Sequence, residues 1–280
     1  MWNNLKRNKG GLIGVIIIAL MLLVALAAGI LAPHNPNDQD ISQRLIGPFW
    51  TIKGSMDHIL GTDNMGRDIL SRLIYGSRVS LLVGFLGTLA GGFIGVILGS
   101  LSGFYGGKVD NFIMRIVDIQ LAFPFILLAI FIVAVLGPGL FNIIVVAAIS
   151  SWVRYARLVR GEILSVKKME YIEAIRSLGA GDIRIMFRHI LPNVISPAIV
   201  IGTLEMARII LMEAALSFLG LGVPAHVATW GRMLSEGRVY IVTSPWLAII
   251  PGLAITIAVL GVNLFGDWLR DYLDPKLKNV

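Results

Sequence analysis

Acidic residues lying in or beside apolar runs are where this chain could do chemistry. Gly179-Ala180-Gly181-Asp182 spells GxGD, and with Asp118 as a second carboxylate it could serve an intramembrane aspartyl protease, in which two aspartates share a proton and activate water. Against that reading, Asp182 sits among Arg176, Arg184 and Arg188, cations that hold a carboxylate ionised. Glu205, Arg208 and Glu213 lie within one apolar run. An ionisable residue near a bilayer centre costs about 2.5–3.5 kcal/mol, so it faces protein or water. Glu205 and Arg208 are spaced to pair along a helix. The three can flank a translocation path, or form a structural ion pair at a helix interface with Glu213 near the outer surface.

Other chemistries are closed. The chain has no cysteine, which removes disulfides, thiolate catalysis and cysteine metal sites. His34, His58, His189 and His226 are far apart and form no H-x-x-x-H pair, so they read as ordinary polar residues and no metal site is expected. The nearest approach to a nucleotide-binding loop, Gly-Gly-Lys108-Val109-Asp, has Val109 where Ser or Thr must hold magnesium, and Ser102 where the first glycine belongs. No catalytic residue is expected.

The elements that hold these residues are set by composition. Of 280 residues, 56% are hydrophobic and 15% charged, and the mean hydropathy is +0.80, which marks an integral membrane protein. A spanning helix needs about 20 mostly apolar residues. Leu12–Ala32, Val79–Leu101, Ile116–Leu136, Val194–Leu221 and Trp246–Gly266 come close, and Gly139–Leu158 is a shorter sixth. The runs do not alternate as barrel strands must. The fold expected is all-α with six transmembrane helices. The first run exceeds the roughly 7–15 residues of a signal-peptide core, so it reads as a retained helix.

With the N-terminus inside, sixteen Lys and Arg fall on the cytoplasmic side, among them Lys276 and Lys278, and seven outside. That asymmetry predicts cytoplasmic termini and explains the basic pI of 9.9 without nucleic acid. Residues 33–78 then form an extracytoplasmic loop, and the density of Asp63, Arg67, Asp68 and Arg72 suits either a polar receiving surface or a hydrogen-bonded cap. Residues 159–193 form the main cytoplasmic loop. Gly87, Gly91, Gly95 and Gly99, continued by Gly103 and Gly107, line one helix face and invite close helix packing in lipid, or motion between helices. Pro124 breaks hydrogen bonding in the third run. Trp246 and Trp268 bracket the last run as interfacial aromatics do.

Within the cytoplasmic loop, Tyr171, Ala174, Ile175 and Leu178 share a helical face opposite Glu170, Glu173 and Arg176. Gly179 and Gly181 break that helix. Asp182 is placed to cap a second, whose apolar face is Ile183, Met186, Phe187 and Ile190 with Arg184 and Arg188 opposite, and Pro192 ends it. A basic amphipathic pair of this kind can rest on anionic lipid headgroups.

The same segment resembles the EAA loop of ATP-binding-cassette importer permeases: Glu173, Ala174, Gly179, Leu191 and Pro192 fall in register, with Ile175 and His189 departing from the usual Ala and Ile. "LGTDNMGRDILSRLIYGSRVSL" and "EAALSFLGLGVP" extend the resemblance to the dipeptide/oligopeptide permease C-type subunit over nearly the whole chain. The resemblance implies a type I importer permease of the bacterial inner membrane, coupled through Glu173, Ala174, Arg176, Gly179, Arg184, Leu191 and Pro192 to cytoplasmic ATPases. It further implies a homologous second permease subunit as a heterodimer partner, two ATPase subunits that use ATP and Mg, and an extracytoplasmic substrate-binding protein. No cofactor belongs to the chain itself. Related permeases serve dipeptides, longer peptides, glutathione or nickel chelates. An ion-coupled secondary transporter is the remaining alternative, though no inverted repeat with matching broken helices is evident.

Overall fold

Asp68 accepts a hydrogen bond from the Ser71 amide at 2.7 Å and so starts the longest helix, α4 (Ile69–Tyr105). At about 1.5 Å per residue, its 37 residues exceed the thickness of a bilayer core. The first turns therefore stand outside the span expected from Val79. The computed structural model describes residues 2–224 and 226–273; the basic residues Lys276 and Lys278 lie outside them.

Before α4 come α1 (Trp2–Arg7), α2 (Lys9–Leu26) and the short α3 (Ala28–Leu31); after it come α5 (Gly107–Ala122), α6 (Phe125–Leu136) and α7 (Leu140–Val166). A pair of short helices, α8 (Glu170–Ser177) and α9 (Asp182–Ile185), leads through a π turn at Met186–Ile190 into α10 (Leu191–Phe218). The chain ends in α11 (Trp230–Gly237) and α12 (Trp246–Leu273). Among the described residues there is no named strand, only isolated bridges at Gly47–Gly54 and Thr62–Asp68.

Five of these helices are long and apolar enough to cross a membrane, and the span expected over Ile116–Leu136 is not one rod. Ala122 ends α5, Pro124 supplies no amide, and α6 restarts at Phe125 turned by 92°. Pro124 therefore does more than bend the third run; it divides it. α7, expected as the run Gly139–Leu158, continues to Val166, and its Arg154, Arg157 and Arg160 pair with Glu205 of α10 and with Asp118 and Asp110 of α5.

Side-chain-free surface sets the helix contacts. An added Cβ at Gly99 would lie 2.6 Å from the Ala156 carbonyl oxygen, and at Gly103 3.0 Å from that of Arg160. Gly91 and Gly95 lie as closely against Ser151, Trp152 and Tyr155 of α7. Gly107 does not belong to this row: it has φ +53° with open space around it and forms the turn into α5. On the other side of the molecule, Gly11 and Gly14 of α2 admit α12, with Trp268 seated over Gly11. Trp268 is therefore buried, at 1% exposure, and is not the interfacial aromatic expected. α10 touches α4, α7, α11 and α12, and with α4, α6 and α7 it encloses Val83, Val133, Ile143, Val146, Ile209 and Leu216.

Candidate functional site

The α8–α9 bend is closed by a Schellman motif. Gly179 takes φ +84°, its amide donates to the Arg176 carbonyl at 3.0 Å, and the Ala180 amide donates to Ile175 at 3.3 Å. A side chain at Gly179 would meet no neighbour, so glycine is required for its backbone angle. Glu170 and Glu173 lie in the first turn of α8 and Arg176 in its last, each favourable to the helix dipole.

The expected faces are partly reversed. Ile172, Ile185, Met186 and Ile190 point inward, packed with Phe104 of α4, Val159, Ile163 and Val166 of α7, and Val194 of α10. Leu178, Ile183 and Phe187, expected on the buried stripe, are 86%, 73% and 63% exposed. Leu178 and Ile183 precede the π turn, at the end of α8 and in α9, and only Phe187 lies within it. The Leu191 amide donates five residues back to Met186, so Ile185 and Ile190, five apart, share a face that ordinary helical spacing assigns to other residues. Pro192 does not stop the helix; it occupies the first turn of α10, where a missing amide costs nothing. Asp182 does not cap α9, whose N-cap is Gly181; it pairs with Arg176 at 3.5 Å. Glu173, Ala174, Arg176, Gly179, Arg184 and Pro192 are exposed, and Leu191 is half-buried.

Midway along α10, Glu205 is buried while accepting from Arg208 at 3.2 Å and from Arg154 of α7 at 2.8 Å. Two guanidiniums thus face one carboxylate, with 41% of the Arg154 side chain and 35% of the Arg208 side chain exposed. Arg208 also lies 6.0 Å over the Phe125 ring. Arg154 was not foreseen as the second partner, because charge counting assigns it to the end of a span. Glu213 is fully buried and accepts from Ser217 at 2.7 Å and Ser80 at 3.2 Å, which places it inside the bundle. Asp118 and Asp182 are each more than half exposed and each has its own arginine, Arg157 and Arg176. They do not share a proton as a protease dyad must.

The segment between α3 and α4 makes a cap. Arg67 donates to Asp63 at 2.7 Å and to Glu236 of α11 at 2.9 Å, and Arg72 donates to both carboxylates, at 2.8 Å to Glu236. Asp63, Arg67, Asp68 and Arg72 are all at or below 4% exposure, so they are an internal network and not a receiving surface. Burial pushes the Glu236 carboxyl up, but Arg72 and Arg67 outweigh it and hold the group below its ordinary value. In the same cap, His34 and His58, expected to be separate, have ring centroids 4.7 Å apart. At the opposite end of α4, Arg160 grips Asp110 through two bonds of 2.6 Å, and Lys167 donates to the Phe104 carbonyl at 2.6 Å. These pins hold the α4–α5 turn against α7.

Residues 95–279 match the family described as binding-protein-dependent transport system inner membrane component, and residues 1–48 match the N-terminal transmembrane domain of oligopeptide transport permease C. The chain is 45% identical to the di/tripeptide transport system permease protein DppC of Pseudomonas aeruginosa, over 100% of this chain and 92% of that one. It is 47% identical to the dipeptide transport system permease protein DppC of Escherichia coli K12, over 99% and 92%. With the glutathione transport system permease protein GsiD of Pectobacterium atrosepticum it shares 44% identity, over 99% and 91%. Among solved structures, the inward-facing MetNI methionine ABC transporter superposes with a TM-score of 0.61 at 22% identity, over 72% of this chain and 96% of that one.

Proposed function

The chain belongs to the family of inner membrane components of binding-protein-dependent transport systems, and on that premise we propose that it carries di- or oligopeptides as half of the pathway of an ATP-driven importer. It is a multi-pass membrane permease that works with ATPase and substrate-binding proteins. In the arrangement proposed, a homologous second permease subunit completes the pathway, and two ATPase subunits use ATP and Mg on the cytoplasmic side. Both termini and the α8–α9 pair, in the loop 159–193, face the cytoplasm, and the cap, residues 33–78, faces outward. The paired glycines, Gly87, Gly91, Gly95 and Gly99, hold α4 on α7. Glu205, Arg154 and Arg208 line the path, where Glu205 accepts from two guanidiniums whose exposed ends remain available to a peptide carboxylate. Glu213, which has no cation among its partners in the described residues, acts within the bundle as a hydrogen-bonded brace.

One observation carries this reading: the α8–α9 pair is clamped inside by Ile172, Ile185 and Ile190 and presents Leu178, Ile183 and Phe187 outside among Glu173, Arg176 and Arg184. Exposed apolar groups rimmed by charges on a rigid bend form a docking surface. The Leu178→Asp, Ile183→Asp double variant removes that surface without touching the buried side. It is expected to insert normally and lose co-purifying ATPase; retention of both ATPase and transport overturns the assignment. For the cargo, the complex reconstituted with its binding protein is offered dipeptides, longer peptides, glutathione and a nickel chelate. Peptide-stimulated ATP hydrolysis and uptake are expected.

A further inference from the structure

Three residues from separate parts of the cap converge on one point. His58 Nδ1 lies 2.9 Å from Asp68 Oδ1, and His34 Nδ1 lies 3.8 Å from the same oxygen. One ligand atom from each residue can be chosen so that all three fall within 4.8 Å of one another. In a tetrahedral zinc site with bonds of about 2.0 Å, ligand atoms stand about 3.3 Å apart, so the two separations to Asp68 straddle the required edge.

The surroundings orient each group for that role. The second oxygen of Asp68 is committed to the Ser71 amide at 2.7 Å, leaving Oδ1 for another partner. The His34 amide donates to the Ser71 hydroxyl at 3.0 Å, which ties that residue to the first turn of α4. His58 Nε2 lies 2.7 Å from Gln43 Oε1. A ligating imidazole donates its outer N–H to a carbonyl or carboxylate in this way, which turns the lone pair of its other nitrogen toward the metal. With that tautomer, two nitrogens and one carboxylate oxygen face one another. A single proton serves one such pair, whereas a metal ion serves all three. Beside the cluster opens a cavity of about 360 Å³, also lined by Asp38, Asp40 and Asp57, which gives water access to a fourth position and a negative field around it.

We propose that His34, His58 and Asp68 form a binding site for a divalent transition-metal ion of the zinc class, tying the segment after α3 to the start of α4. Two imidazoles and one carboxylate suit zinc and its borderline neighbours; calcium and magnesium require mostly oxygen ligands.

The test uses the untagged full-length chain in lipid nanodiscs and Zn²⁺ titrated against a chromophoric chelator. One tightly bound ion per chain is expected, with affinity at least tenfold weaker in His34→Ala and regained in His34→Cys. Zn²⁺ should also raise the thermal midpoint of the wild type and leave that of His34→Ala unmoved. His34 is the position of choice because its side chain is 39% exposed, so its loss leaves folding intact where loss of Asp68 removes a helix cap. Equal affinity in the wild type and His34→Ala overturns the proposal, as does no stoichiometric ion in the wild type. So does displacement of Zn²⁺ by equimolar Ca²⁺, which would place the ion on Asp38, Asp40 and Asp57.

Discussion

Glu236 accepts from three arginines at once, Arg67, Arg72 and Arg232, and Asp63 completes the network against the first two. With both Arg67 and Arg72 at or below 4% exposure, their charges depend on these carboxylates. Removing one partner of such a buried pair costs about 3–5 kcal/mol, because the other charge is left uncompensated. Glu236→Gln is therefore expected to lower the thermal midpoint of the purified chain by several degrees, and an unchanged midpoint would mean that water already screens the network. The pH dependence has a definite sign. Because Glu236 sits below its ordinary value of 4.5, its contribution is complete above that value and is lost as pH falls through the lower folded-state value. The wild-type midpoint should thus fall more between pH 5 and pH 3 than that of Glu236→Gln; parallel curves would show that the group does not link folding to pH. The aspartates and arginines of this cap were visible in the sequence, but their burial was not. Glu236 comes from a distant helix, and no local spacing announces a partner so far along the chain.

At the level of elements, the glycine row was legible because four-residue spacing keeps one helix face bare. Its last member was not: Gly107 falls in register yet serves a turn, since the helix ends at Tyr105. The two positions predict opposite sensitivities. Gly95→Leu drives a side chain into the backbone of α7 at Trp152 and Ala156, and should abolish the stable, monodisperse protein or lower its yield severely. Gly107→Ala meets open space and faces only the backbone penalty of its positive φ, about 1–2 kcal/mol. Size-exclusion profiles of both variants decide the matter; a well-behaved Gly95→Leu protein would show that α4 and α7 can separate without loss of the fold. The α8–α9 pair was legible in its existence and bend, but its buried face was misassigned. At Phe187 a π turn shifts the helical phase, and nothing in the composition of Met186–Ile190 signals it; at Leu178 and Ile183 the face turned inward is that of Ile172 and Ile185, a choice set by packing on α7 and not by local spacing. Pro192 misled for a related reason, because proline stops a helix from within yet starts one readily.

Across the whole molecule, α4, α7 and α10 connect the α8–α9 pair to the level of Glu205 and on to the cap. The connection is a packed one: Ile185 and Ile190, both fully buried, meet Val159 and Ile163 of α7 and Val194 of α10 within one cluster. On the docking proposed above, displacement of the pair would move the helices that carry Arg154 and Glu205, since packed interiors transmit strain and do not absorb it. The proposed docking and transmitting faces are opposite sides of the same short pair, so they can be separated by mutation. Ile190→Ala leaves the exposed Leu178, Ile183 and Phe187 untouched but opens a cavity on the transmitting side, at a local cost of about 2–5 kcal/mol. The expected outcome is a complex that retains its ATPase and still hydrolyses ATP, but with uptake per ATP reduced several-fold. Transport at the wild-type ratio would show that force reaches the pathway by another contact, and loss of the ATPase would show that the two sides are one surface.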